Sequence, residues 1–201
     1  EDASGIHPKE IAVEAGYAYE VIKNFSVSAT FKYLFSDMGR IGNSRGASSV
    51  AFDLGVLYKC EINDWEGAGW SVGLHVSNLG PKINYLTSKD ALPATVKVGG
   101  AADLPFLQMH KLTLTADLGY RLSPADVQAL SVSAGAEYAW RELVMLRGGY
   151  HCGDKKKGDA SYATAGAGVE YAGVRLDFAW LFAGHEYLAR NTFWVSLGYS
   201  F

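Results

Sequence analysis

Apolar and polar residues alternate with a period of two along most of the chain, the spacing that sends successive side chains to opposite faces of a β-strand. Residues 110–122 set Leu112, Leu114, Ala116, Leu118 and Tyr120 on one face and Thr113, Thr115, Asp117 and Gly119 on the other. Residues 128–140 offer Leu130, Val132, Ala134, Ala136, Tyr138 and Trp140 against Ser131, Ser133, Gly135 and Glu137. The same pattern predicts eleven strands, at roughly 10–20, 25–36, 48–60, 69–79, 94–104, 110–122, 128–140, 143–151, 161–172, 174–183 and 191–201. Most are close to the ~9–11 residues that a tilted membrane strand needs.

The last stretch, 191–201, carries Phe193, Val195, Leu197, Tyr199 and Phe201 on one face. Such an ending is expected of the closing strand of a bacterial outer-membrane β-barrel, with Tyr199 and Phe201 acting as the barrel assembly signal. A soluble β-sandwich or small barrel would alternate too, but two features weigh against it. Many apolar faces end in an aromatic ring (Tyr58, Tyr120, Tyr138 with Trp140, Tyr171, Tyr199), which suits a membrane–water boundary. The opposite faces are rich in glycine rather than in Lys and Glu.

Composition agrees with this. Charged residues make up 19% of the 201, aromatics 13%, and no apolar run reaches the ~18 residues of a spanning helix. A net charge of −3 without a basic face excludes a nucleic-acid partner. The run Lys155–Lys157 reads as a solvated loop tip. Cys60 and Cys152 fall in no metal-ligand or C-x-x-C spacing and are expected to be free thiols. There is no G-x-S-x-G, and no two of the five histidines share a strand at ligand spacing. Neither catalysis nor a cofactor or metal is expected.

Fixing Phe201 at the periplasmic rim makes the connections alternate. The inner set is 21–24, 61–68, 105–109, 141–142 and about 173; the outer set, 37–47, 80–93, 123–127, 152–160 and 184–190, is longer, as in outer-membrane barrels. Eleven strands cannot close an antiparallel barrel, since bacterial single-chain barrels have even numbers. Either the strand count is off by one or N-terminal strands are absent; absence is favoured, and the expectation is one barrel domain over 1–201 that lacks N-terminal strands. On its inner face, Glu137 beside Arg147 and Glu170 beside Arg175 are expected to form lumen ion pairs. Signs alternate around that wall, whereas a selective pore would favour one sign.

Several segments resemble the PorV/PorQ family of outer-membrane proteins of Bacteroidetes-type bacteria, whose barrel is similar to that of the FadL fatty-acid transporters. Ser77–Tyr85, S-N-L-G-P-K-I-N-Y, is the most specific, followed by Leu92-Pro93-Ala94-Thr95. Ser49–Lys59, Lys111–Leu118, the glycine-rich 161–172, L-D-F-A-W-L at 176–181 and the final strand are also similar. The resemblance implies an all-β, transmembrane antiparallel barrel of FadL-like type in the outer membrane, with fourteen strands and an N-terminal lumen segment when complete, both the additional strands and that segment being expected to be missing from 1–201. It implies a role in type IX secretion: binding the C-terminal signal domain of secreted cargo and passing it from a large translocon barrel to the surface attachment complex. The partners it implies are that translocon, the cargo domains and outer-membrane lipid. The alternative is a FadL-like transporter of hydrophobic small molecules, which predicts a greasy inner pocket. Candidate partner contacts are the apolar loop-tip residues Ile83, Tyr85 and Leu86 in 80–93 and His185, Tyr187 and Leu188 in 184–190. Those loops could equally fold over the barrel mouth.

Overall fold

A computed structural model describes residues 9–37, 46–84, 89–184 and 192–200. The strands are β1 (Lys9–Ile22), β2 (Phe25–Asp37), β3 (Ala47–Glu61), β4 (Gly69–Leu79), β5 (Ile83–Asn84), β6 (Lys89–Asp90), β7 (Thr95–Phe106), β8 (His110–Arg121), β9 (Leu130–Trp140), β10 (Val144–Cys152), β11 (Tyr162–Tyr171), β12 (Val174–Ala183) and β13 (Phe193–Tyr199). Eleven of them form one sheet in chain order, and β5 pairs with β6 as a separate two-stranded ladder. The main sheet thus contains the eleven strands that alternation predicts. The only helical elements among the described residues are two three-residue 3-10 turns, at Ala125–Val127 and Lys155–Lys157.

Successive connections alternate between short and long. Three of the short ones place two consecutive residues at positive φ: Leu107 and Gln108 (51° and 56°), Arg141 and Glu142 (53° and 57°), and Ala172 and Gly173 (51° and 79°). Two left-handed residues in a row match the right-handed twist of the strands they join. Asn24, at φ 71°, turns β1 into β2 and donates its backbone N–H to Glu20 Oε1 at 2.7 Å. Both cysteines are free.

The chain divides into two compact units. The first comprises residues 1–57, 74–97 and 121–128. Here the polar side of β3 is the covered one: Ala47, Ser49, Ala51 and Asp53 are buried, while Phe52 and Leu54 are about half exposed. Small side chains on that side leave room for a neighbouring segment to approach the backbone.

The second unit comprises residues 58–73, 98–120 and 129–201. Its faces are sorted in the same way. Ser131, Met145 and Leu181 are buried, whereas Leu114, Val132, Phe178 and Leu197 are 42–77% exposed. Arg147 and Asp177 on the polar faces are better covered than the leucines and phenylalanines opposite them. Among the described residues no large side chain is fully buried. Burial of apolar surface contributes roughly 25 cal/mol per Å² in water, and these strands forgo it on their greasier side. A soluble sandwich would pack those side chains between two layers. Here they are exposed, which is the arrangement of a sheet whose apolar side is solvated by lipid.

Candidate functional site

In the first unit the most elaborate arrangement lies where β4 ends. Asn78 leaves the strand conformation at φ 56°, a left-handed geometry that Asn tolerates better than most residues. Its backbone N–H, freed from the ladder, donates to Asp53 Oδ1 at 2.8 Å. The buried carboxylate of Asp53 takes its charge partner from β2, with Lys32 Nζ 2.7 Å from Oδ2. Lys32 also donates to Asn78 Oδ1 at 3.3 Å and stands 3.8 Å from Glu14 Oε1. His75 Nε2 is 4.0 Å from Asp53 Oδ2. A buried carboxylate needs such partners to offset its desolvation.

These contacts hold both ends of the 80–94 connection. Asn78 Nδ2 donates to the Pro93 carbonyl at 3.2 Å, and Ser49 Oγ to the Pro81 carbonyl at 3.0 Å. At Gly80 a Cβ would sit 2.1 Å from the Val50 carbonyl oxygen and 3.2 Å from Ala51 Cα, so only glycine permits this approach to β3. Leu92 is 6% exposed and Ala51 not at all. Beyond Leu92, the Ala94 carbonyl accepts from the Leu122 N–H at 2.8 Å. The connection is therefore fastened at its roots, while the β5–β6 ladder (Ile83 opposite Asp90, Asn84 opposite Lys89) remains at least partly exposed.

Of the predicted contact residues, Ile83 lies in β5 and is partly exposed. Tyr85, Leu86, His185, Tyr187 and Leu188 fall outside the described residues, as does Phe201. Tyr199 is opposite Val174 in the β12–β13 pair and is 69% exposed. Sequence reasoning singled out the tip of the 80–93 loop and overlooked what anchors it: Ser49, Asp53, Asn78 and Gly80. The available signal was the run Ser77–Lys82 itself, in which Asn78, Gly80 and Pro81 cluster where a strand ends.

The second unit gathers charge on its polar face. Glu137 stands opposite Arg147 in the β9–β10 register, and the two are ion-paired. Arg147 also pairs with Asp177 of β12. Arg175 Nε donates to Asp177 Oδ2 at 2.8 Å, and its terminal guanidinium nitrogen lies 3.7 Å from Glu170 Oε2, its register partner. Two guanidinium groups thus serve three carboxylates, with Asp177 as the hub that sequence pairing alone leaves out. Nearer the ends of their strands, Lys111 lies 3.2 Å from Asp103, which also accepts from Thr113 at 2.7 Å. Ser133, His151 and Asp159 hydrogen-bond in series at 3.1 Å each, tying β9 and β10 to the 153–161 connection. Among the described residues no group of three or more His, Cys, Asp or Glu side chains is placed to hold a metal ion. What these pairs do chemically is neutralise and rigidify: charges of opposite sign are bonded to each other between adjacent strands, within β12 and, for Arg147 and Asp177, across the intervening β11.

The family model described as Type IX secretion system protein PorV matches residues 1–128. The chain belongs to the PorV family. No curated protein matches it. The matched span contains the whole Asp53–Asn78–Pro93 anchor. PorV proteins are outer-membrane β-barrels, so the outward apolar faces are the lipid-facing ones and the chain is an outer-membrane component of the type IX secretion system.

Proposed function

We propose that this PorV-family chain binds the C-terminal signal domain of secreted cargo on the connections at one rim of its barrel, 80–94 foremost, and passes the cargo from the large translocon barrel to the surface attachment complex. Residues 1–201 contribute a single barrel domain of FadL-like type in this reading, and Ile83, Tyr85, Leu86, His185, Tyr187 and Leu188 are its candidate contacts. The observation that carries the proposal is the fastening of the 80–94 connection. Its roots are bonded to Ser49, Asp53 and Asn78 while its β5–β6 tip is left at least partly exposed. A loop ordered beforehand loses less conformational freedom on binding than a free one. The charge-paired polar face supports the same reading: neutralised wall charges suit a closed or filled lumen better than a selective pore.

A photoreactive residue at position 83, activated in intact cells and followed by purification of the adduct, tests the proposal. Adducts with surface proteins that carry the signal domain, or with the translocon, support it. Recovery of the protein alone, together with a steady open pore in single-channel recordings, overturns it. A FadL-like transporter would instead yield the protein alone with a lipid-like ligand inside it.

A further inference from the structure

The first unit contains a hollow of about 700 Å³ that the secretion role does not use. It is lined by Tyr17 and Tyr19 of β1, Val27 and Ala29 of β2, Leu54 and Val56 of β3, and Leu74 and Val76 of β4, with Ser28 and Gly55 completing it. The register puts Tyr17 opposite Ala29 and Tyr19 opposite Val27. All eight of these larger residues therefore alternate onto the apolar side of the sheet, away from Lys32, Asp53 and His75.

The hollow has a local cause. Ala29 is the small member of a row of bulky apolar-face residues on β2, between Val27 and Phe31. Phe31 and Phe52, the next residues on the same face beyond Ala29 and Leu54, bring their rings to 5.4 Å and stand as a ridge at that end. Tyr17 and Tyr19, 73% and 58% exposed, rise along the β1 side. The result is a recess with aromatic walls, an aliphatic floor and no charged lining residue.

We infer that this recess seats one acyl chain of a membrane phospholipid, held more firmly than the lipid around the rest of the barrel. Three observations select that occupant. The volume lies in the ~300–1,000 Å³ range of small-molecule sites. The lining offers no partner for a charge, so the buried part of the ligand is hydrocarbon. The medium on this side of a PorV-family sheet is lipid, which presents acyl chains at high concentration. The hydroxyls of Tyr17, Tyr19 and Ser28 are the side-chain donors that the lining contains, and they suit the ester of such a chain.

The test uses the full chain folded into vesicles of phosphatidylethanolamine and phosphatidylglycerol, extracted into detergent and examined by native mass spectrometry. The wild type should retain one phospholipid. Ala29→Trp should lower that retention at least tenfold by filling the recess. Ala167→Trp, which puts the same bulk on an exposed apolar-face position of β11, should leave retention unchanged. Heat-modifiable gel mobility reports whether each variant is folded. If Ala29→Trp does not fold, Val56→Ala, which deepens the recess, should raise retention of longer chains. A parallel arm supplies myristate in detergent in place of phospholipid. Retention of the free acid without phospholipid, equal retention by the wild type and Ala29→Trp, or no bound lipid in the wild type would each overturn the inference.

Discussion

Arg147 on β10 is bonded to Asp177 on β12, two strands away, and it reaches across the backbone of β11 at Gly168. A Cβ at residue 168 would lie 2.4 Å from Asp177 Oδ1 and 3.1 Å from the nearer terminal nitrogen of Arg147. The glycine is therefore the lane along which the guanidinium crosses. Asp177 cannot simply swing aside, because Arg175 holds its other oxygen at 2.8 Å. Gly168→Ala should break the Arg147–Asp177 pair and lower stability by about 1.5–3 kcal/mol, the scale of a hydrogen bond to a charged group. The midpoint of urea unfolding in lipid vesicles measures this. An unchanged midpoint would mean that the crossing contributes nothing.

Arg147 joins two carboxylates, whereas Glu137 has one charged partner in this cluster. Removing the cation leaves Glu137 unpaired and Asp177 with Arg175 alone, so Arg147→Met should destabilise more than Glu137→Gln. Breaking one partner of a desolvated pair exceeds the net value of the pair itself. Because these groups remain partly exposed, the difference should be modest, on the order of 1 kcal/mol. The same unfolding assay applied to both single variants and the double variant gives the coupling directly.

The anchored connection makes a separate prediction. Asp53→Ala removes the acceptor for the Asn78 N–H and the partner of Lys32. The 80–94 segment should then loosen, and limited proteolysis between residues 83 and 90 should become several-fold faster while the rest of the chain stays resistant. Asn78→Gly keeps the left-handed backbone and loses only the bonds to Pro93 and Lys32; Asn78→Val loses both and should be cleaved fastest. Equal cleavage rates for wild type and Asp53→Ala would show that the carboxylate does not hold the loop.

Much of this architecture was legible in the sequence, because one rule governs it. Side chains alternate at period two, and Leu130, Val132 and Ala134 cannot share a face with Ser131 and Ser133 in any regular strand. Pairs between adjacent strands, such as Glu137 with Arg147, were legible too, because neighbouring hairpin strands have their register set by short turns. Contacts that skip a strand were not. Asp177 reaches Arg147 only because residue 168 is glycine, and no local pattern links positions 147, 168 and 177. The Asp53–Asn78 bond was hidden for a related reason: it depends on a backbone N–H turned out of its ladder, and that follows from a φ angle rather than from residue type.

The turn between β7 and β8 holds two non-glycine residues, Leu107 and Gln108, at positive φ. Asn-Gly is the sequence that such a two-residue turn favours, since both residues must be left-handed. Leu107 is 79% exposed, so it gains little from burial in return. Replacing the pair by Leu107→Asn and Gln108→Gly should raise stability by about 1–2 kcal/mol, the order of strain released when left-handed residues are made compatible. A higher urea midpoint for the double variant would show it, and an unchanged or lower one would mean that Leu107 and Gln108 do not strain the turn.

The apolar face carries the most demanding prediction. Leu114 lies near the middle of β8 and points outward, 42% exposed, on the side assigned to lipid. Thr115, the next residue, points to the polar side, where its hydroxyl donates to the Gly135 carbonyl at 3.3 Å. An arginine on a lipid-facing position near the bilayer midplane costs about 2–4 kcal/mol, whereas the inner wall tolerates charge. Leu114→Arg should therefore abolish or sharply reduce the folded, heat-modifiable species in outer-membrane fractions, and Thr115→Lys should leave it largely intact. In water the order would be reversed, because an exposed Leu→Arg change is nearly neutral and the Thr115 hydrogen bond would be the larger loss. The ranking of these two adjacent substitutions thus decides which medium the Leu114 side of the sheet meets.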